Sequence, residues 1–162
     1  MLRHLRHLIL PVVFVTRLGA GPALSAPLPT QPILTLDAAR AIVAAAEAKA
    51  KAENWPCVIS VVDSEGLAII LERMDNAAIL AGLELAPGKA RTAALFRKPS
   101  GALEDAINRS RPAALSARGF VLMRGGMPII VNGQIVGAIG VSGDRPDHDE
   151  LIAKAGIAAL SQ

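Results

Sequence analysis

Few residues in this chain have the type and placement to do chemistry. Lys89 and Arg91 stand two apart after Pro87-Gly88, where the apolar spacing of Ala90, Ala93, Ala94 and Phe96 predicts a helix over 89–96. Cations at a helix start, beside unpaired amides and the positive end of the dipole, can hold a carboxylate; solvated helix residues look the same. A second group is written Gly143-Asp144-Arg145-Pro146-Asp147-His148-Asp149-Glu150. Here Arg145 can serve another carboxylate, and Asp144, Asp147 or His148 can move a proton. His148 is the sole histidine after residue 26 and therefore the one imidazole available to a metal, although this acidic helix start also suits a solvated side chain. Gly125-Gly126 leads into an apolar run that begins at Pro128, and Gly140 to Gly143 leads into a helix. Glycine lets a ligand approach the backbone, so Gly126 and Pro128 are ligand-binding candidates, unless the glycines serve only the turns.

Other chemistries are excluded by what is missing. The glycine spacing fits neither a Walker loop nor a dinucleotide fingerprint. One cysteine and one histidine beyond residue 26 cannot supply a tetrahedral zinc site, and nothing positions a nucleophile beside His148, so no catalytic residue is assigned. Cys57 begins an apolar run and reads as a buried structural thiol. The formal charge of +3 lies in Arg3, Arg6 and Arg17, since residues 1–26 hold no acid, and the remainder is balanced. A balanced chain with 2% aromatics offers nucleic acid neither a basic surface nor a stacking platform.

These residues must be positioned by elements with clear local signals. Residues 1–26 pair early arginines with an apolar run from Leu8 to Val15 and a small-residue end at Ala23-Leu24-Ser25-Ala26, the pattern of a secretory signal peptide, which predicts a periplasmic or secreted protein. That apolar run is too short to span a bilayer. Residues 27–33, with three prolines, read as an extended linker, and 34–162 as one domain. Thr35 is an N-cap for a helix from Leu36 to about Glu53, with Ala39, Ile42, Val43, Ala46 and Ala50 as its buried stripe. Cys57–Asp63 and Leu67–Arg73 flank Ser64-Glu65-Gly66 as a hairpin in which Asp63 caps the turn, and Asn132-Gly133 joins Pro128–Val131 to Gln134–Ser142 in another. A further strand is expected at Phe120–Met123. Ser100 with Glu104, and Asp147 with Glu150, have the spacing of capping boxes, and Pro87-Gly88 reads as a helix break or start. Trp55, ahead of Pro56, reads as a lid on the core or an interface anchor.

Several separated motifs, in order, resemble the GlcG/HbpS family, which includes the C-terminal domain of PduO-type proteins. They are Val61-Val62-Asp63-Ser64-Glu65-Gly66, Arg73-Met74-Asp75, Lys89-Ala90-Arg91-Thr92-Ala93 and the run Gly125 to Gly143, across roughly Leu34 to Leu160. The resemblance implies a profilin-like α/β (α+β) fold, an antiparallel sheet of about five strands with helices packed on it, and assembly into homo-oligomers. It implies haem or another tetrapyrrole as ligand and cofactor, with Lys89, Arg91 or Arg145 for the propionates. His148 is then the first candidate for axial ligand, ahead of Met74, Met123, Met127 and Cys57. Two alternatives follow from the same resemblance: an oligomeric accessory protein of small-organic-acid, glycolate-like metabolism, and an enzyme acting on a small carboxylate.

Overall fold

The computed structural model describes residues 27–161; the leader-like segment 1–26 lies outside the described residues, and 27–33 hold no helix or strand. Helix α1 spans Leu36–Glu53, as its apolar stripe predicts. The Thr35 hydroxyl accepts from the Ala38 amide at 3.2 Å, and the five stripe residues are the ones buried. Asn54, at φ 57°, stops the helix in a left-handed cap before Trp55-Pro56.

Strands β1 (Val58–Asp63) and β2 (Ala68–Arg73) form the first hairpin. Asp63 Oδ1 accepts from the amides of Glu65 (3.0 Å) and Leu67 (2.8 Å), the turn-capping role expected of it. Strands β3 (Gly126–Val131) and β4 (Gln134–Ser142) form the second, turning through Asn132 and Gly133 at φ 50° and 76°. The sheet order is β2-β1-β4-β3, antiparallel throughout. Helices α2 (Gly82–Phe96), α3 (Ser100–Arg109) and α4 (Pro146–Ala158) complete the α+β fold, with a 3₁₀ turn at Pro112–Ser116.

Alternation along β1 and β4 sends neighbouring residues to opposite faces. Ile59, Val61, Ile139 and Val141 pack with Ile42 of α1 and Ile152 of α4 in the larger core. Val62 and Ala138 meet Ala90, Ala93 and Ala94 of α2 on the other side. That second layer is built from small residues because α2 lies with its backbone against the sheet. Gly126 and Gly140 are paired across β3 and β4, and a Cβ on either would collide with backbone atoms of α2: Lys89 for Gly126, Ala86 and Ala90 for Gly140. Pro87 lies inside α2, which begins at Gly82 and not at the Pro-Gly pair. One missing amide bond is tolerated where the rest of the helix is fastened to the four strands of the sheet.

Four strands form where about five were expected. Phe120–Met123 is irregular, because side chains satisfy its backbone in place of a neighbouring strand. Thr92 Oγ1 accepts from the Val121 amide (3.0 Å), and the Met123 carbonyl accepts from Ser100 Oγ (2.6 Å). Neither capping box forms. Ser100 Oγ also accepts from the Gly126 amide (2.8 Å), and Glu104 Oε2 takes the Arg124 amide (2.6 Å). In α4, Pro146 occupies the first turn after Arg145, Asp147 pairs with Arg145, and Glu150 pairs with Arg124 at 3.0 Å. Ser100, Glu104 and Glu150 are thus drawn into contacts with residues 123–126, while Asp147 takes the nearby Arg145.

A buried ion pair locks α2 to α4. Lys89 Nζ donates to Asp149 Oδ2 at 2.7 Å and to the Val141 carbonyl at 3.0 Å, while Asp149 Oδ1 accepts from the Gly143 amide at 2.7 Å. Both side chains are almost wholly buried, and burial raises the Asp149 carboxyl above its usual value against the opposing pull of Lys89 and the Gly143 amide.

Two stability outcomes follow from this packing. Gly140→Ala should cost about 3 kcal/mol, the upper part of the overpacking range, since backbone atoms cannot rotate away from the new methyl; an unchanged urea midpoint would mean that α2 can withdraw from the sheet. Lys89→Met or Asp149→Leu should each cost about 3–5 kcal/mol by stranding a buried charge. In a double-mutant cycle on urea unfolding, Lys89→Met with Asp149→Leu should cost less than the two single changes summed, and strict additivity would count against the pair.

Candidate functional site

The residues singled out in the sequence fall in four places. Lys89 and Gly126 belong to the interior. Lys89 is 2% exposed and committed to Asp149 and Val141, and the space in front of Gly126 is filled by the Lys89 carbonyl. Their closeness is a helix-to-sheet contact and leaves no room for a ligand, which corrects the anion-holding role expected of Lys89 and the ligand approach expected at Gly126. Pro128 sits half-buried in β3, paired with Ala138. Arg91 points the other way, over a loop. Its Nη1 donates to the Gly119 carbonyl at 3.3 Å and its guanidinium lies 4.9 Å from the Phe120 ring centroid, while Phe120 meets Phe96 edge to face at 4.9 Å. Arg91 thus pins residues 119–120 to α2.

Asp144, Arg145 and His148 do come together, at the start of α4. Arg145 makes two bonds to Asp147, at 3.0 and 2.9 Å, and holds that carboxyl below its usual range. His148 Nδ1 lies 3.2 Å from Asp144 Oδ1, and its ring stacks on Trp55 with centroids 3.6 Å apart and planes within 8°. The side chain is only 15% exposed, so the solvated reading fails: Trp55 covers one face of the imidazole. Nδ1–H donated to Asp144 is the tautomer that leaves Nε2 as an acceptor or metal donor. Trp55 also borders a polar cleft of about 310 Å³ together with Asn54, Asp75 and the paired Lys51 and Glu47.

A larger hollow lies elsewhere, where α3, the Pro112–Ser116 turn and Leu122 meet the end of α2. This trough of about 460 Å³ is walled by Phe96, Ala102, Leu103, Ala106, Ala113 and Leu122, with Lys98 and Arg111 beside them. It adjoins a second apolar hollow of about 290 Å³ through the shared residues Ala117 and Leu122, and the second holds Met123. Arg97, Lys98, Arg109, Arg111 and Arg118 surround this region of the chain, and among the described residues none of them has an ion-pair partner. The nearby acids Glu104 and Asp105 are turned toward Arg124, Glu104 to its amide and Asp105 to its guanidinium at 2.6 Å. Sequence reasoning passed this trough over. Its one local signal was the spacing of Ala102, Leu103 and Ala106 on a short helix flanked by unmatched cations, and the opposite wall comes from residues on separate elements.

The donors available to a metal are sparse. Among the described residues no three His, Cys, Asp or Glu side chains gather to hold an ion. Cys57 is buried, its thiol pushed up to about 12 chiefly by desolvation, so it carries no thiolate at neutral pH; its Sγ contacts Met74 Sδ at 3.8 Å. Met127 packs against the core. Met123, 46% exposed, and His148 Nε2 remain, and neither lines the trough.

The family described as haem degrading protein HbpS-like matches residues 34–158. Protein GlcG of Escherichia coli K12 is 41% identical over 113 residues, covering 70% of this chain and 84% of GlcG. A crystal structure of a double mutant of Streptomyces reticuli HbpS superposes with a TM-score of 0.76 at 30% identity, over 88% of this chain and 99% of that one. A crystal structure of a PduOC complex with haem gives 0.71 at 29% identity, over 79% and 95%. On the family match over residues 34–158 and the likeness to GlcG, the chain belongs to the HbpS-like family.

Proposed function

We propose that this protein binds haem or a closely related tetrapyrrole. The observation that carries the reading is the trough on α3, an apolar hollow of about 460 Å³ edged by Lys98 and Arg111, in a fold that matches a haem-bound PduOC structure over 95% of its length. Its size lies within the range of ordinary ligand pockets, about 300–1,000 Å³, and its apolar walls suit a flat carbon macrocycle. The residues present fit such a group by its body and its carboxylates, with Lys98 and Arg111 to hold the latter. When bound, haem would supply its iron chemistry; the chain would supply the apolar bed and the cations.

The alternative of an enzyme holding a small carboxylate would have to rely on Arg91 or Arg145, because Lys89 is paired with Asp149. The same reading includes export and self-association. Export is supported by the basic, apolar and small-residue order of 1–26, and self-association by the exposed leucines Leu67, Leu71, Leu80 and Leu115.

Haemin added to the purified chain should produce a saturable Soret shift with a fixed stoichiometry; weak binding that never saturates would sink the tetrapyrrole reading. Light scattering should give a mass several times the 16.8 kDa monomer, and a monomer at micromolar concentration would dispose of self-association.

A further inference from the structure

Two properties of the trough on α3 together select a ligand class. Its floor, from Leu103, Ala106 and Leu122, is apolar, while Lys98 and Arg111 stand exposed at its side with no ion-pair partner among the described residues. The acids of the same segment are used up by Arg124, so the local field stays positive. A hollow of this kind favours an apolar body that ends in carboxylates. The carbon surface is rewarded by the floor, and the anions by charge-assisted bonds that need no exact placement on mobile cationic side chains. The lining contains no His, Cys, Met or Tyr. Its one hydroxyl, on Ser116, already donates to the Ala113 carbonyl at 2.8 Å. His148, the only imidazole among the described residues, is engaged with Trp55 and Asp144 away from this lining.

We infer that the trough is the seat of the tetrapyrrole and that it recognises the macrocycle by its carbon surface and its two propionates, with iron making no contribution. A metal-free dicarboxylate porphyrin is then a ligand in its own right. The inference rests on the tetrapyrrole reading above and narrows it.

The test is a pair of titrations of the full chain, haemin followed by Soret absorbance and protoporphyrin IX by its own emission. The two should bind with dissociation constants within about threefold of each other and compete for one site. The double change Lys98→Gln with Arg111→Gln should weaken both by about tenfold, as expected for two rim charges. Ala102→Glu, at an exposed helix position on the trough wall, should also weaken both without altering the far-UV circular dichroism. Protoporphyrin dimethyl ester, which lacks free carboxylates, should bind more weakly than the diacid, and His148→Ala should change neither titration. Saturable binding of haemin but not of protoporphyrin IX, or indifference to the Lys98 and Arg111 changes, overturns this assignment while haem binding stands. If neither porphyrin saturates, the tetrapyrrole reading itself fails. Displacement of protoporphyrin by equimolar oleate would assign the trough to acyl chains and overturn the preference for a macrocycle.

Discussion

The close approach of α2 to the sheet governs the rest of the molecule. Gly126 and Gly140 face each other across β3 and β4, and with no side chain on either, the turn from Ala86 to Ala90 settles on the strands themselves. Ordinary helix-on-sheet packing holds the two apart by a layer of side chains. Here the layer shrinks to alanines, which explains why Ala90, Ala93 and Ala94 meet Val62 and Ala138 directly. It also carries Lys89 inward to the end of β4, where a charge could not remain without Asp149. The ion pair is therefore a consequence of the glycines. It returns something to the fold by fastening α4 and the Gly143 turn to α2.

The same economy of side chains shapes the surface. Residues 119–124 have no strand partner, and are held by Thr92, Arg91, Ser100 and Glu104 from the two helices beside them. Side-chain bonds of this kind satisfy a backbone without extending a sheet. They leave Leu122 facing α3 across an open hollow, and because Arg124 takes up the neighbouring acids, the cations around that hollow stay uncompensated. The candidate site is thus what the pinning of one irregular loop leaves uncovered.

Local elements were legible wherever the signal was self-contained. The stripe on α1, the Thr35 cap, the Asn132-Gly133 turn and the Asp63 turn each depend on residues a few positions apart, and each forms as its pattern predicts. The misreadings share one cause. Ser100, Glu104 and Glu150 had local partners on offer and took distant ones, and Pro87 sits within a helix that its packing sustains. Lys89 is the clearest case at the site: a lysine at a helical position gives no local sign of whether it faces water or a buried carboxylate sixty residues away.

By itself, then, the sequence determined the two hairpins, the first helix and the motifs whose resemblance to the family implied the α+β class. These depend on short-range spacing, on turn chemistry and on which residue types are present at all. Tertiary structure alone decided that Lys89 is a brace, that Gly126 is a contact for a helix, that His148 stacks on Trp55, and that Lys98 and Arg111 flank an apolar trough. Each of those facts joins residues from separate elements, and their meeting is set by how a helix lies on a sheet, a distance that no local pattern encodes.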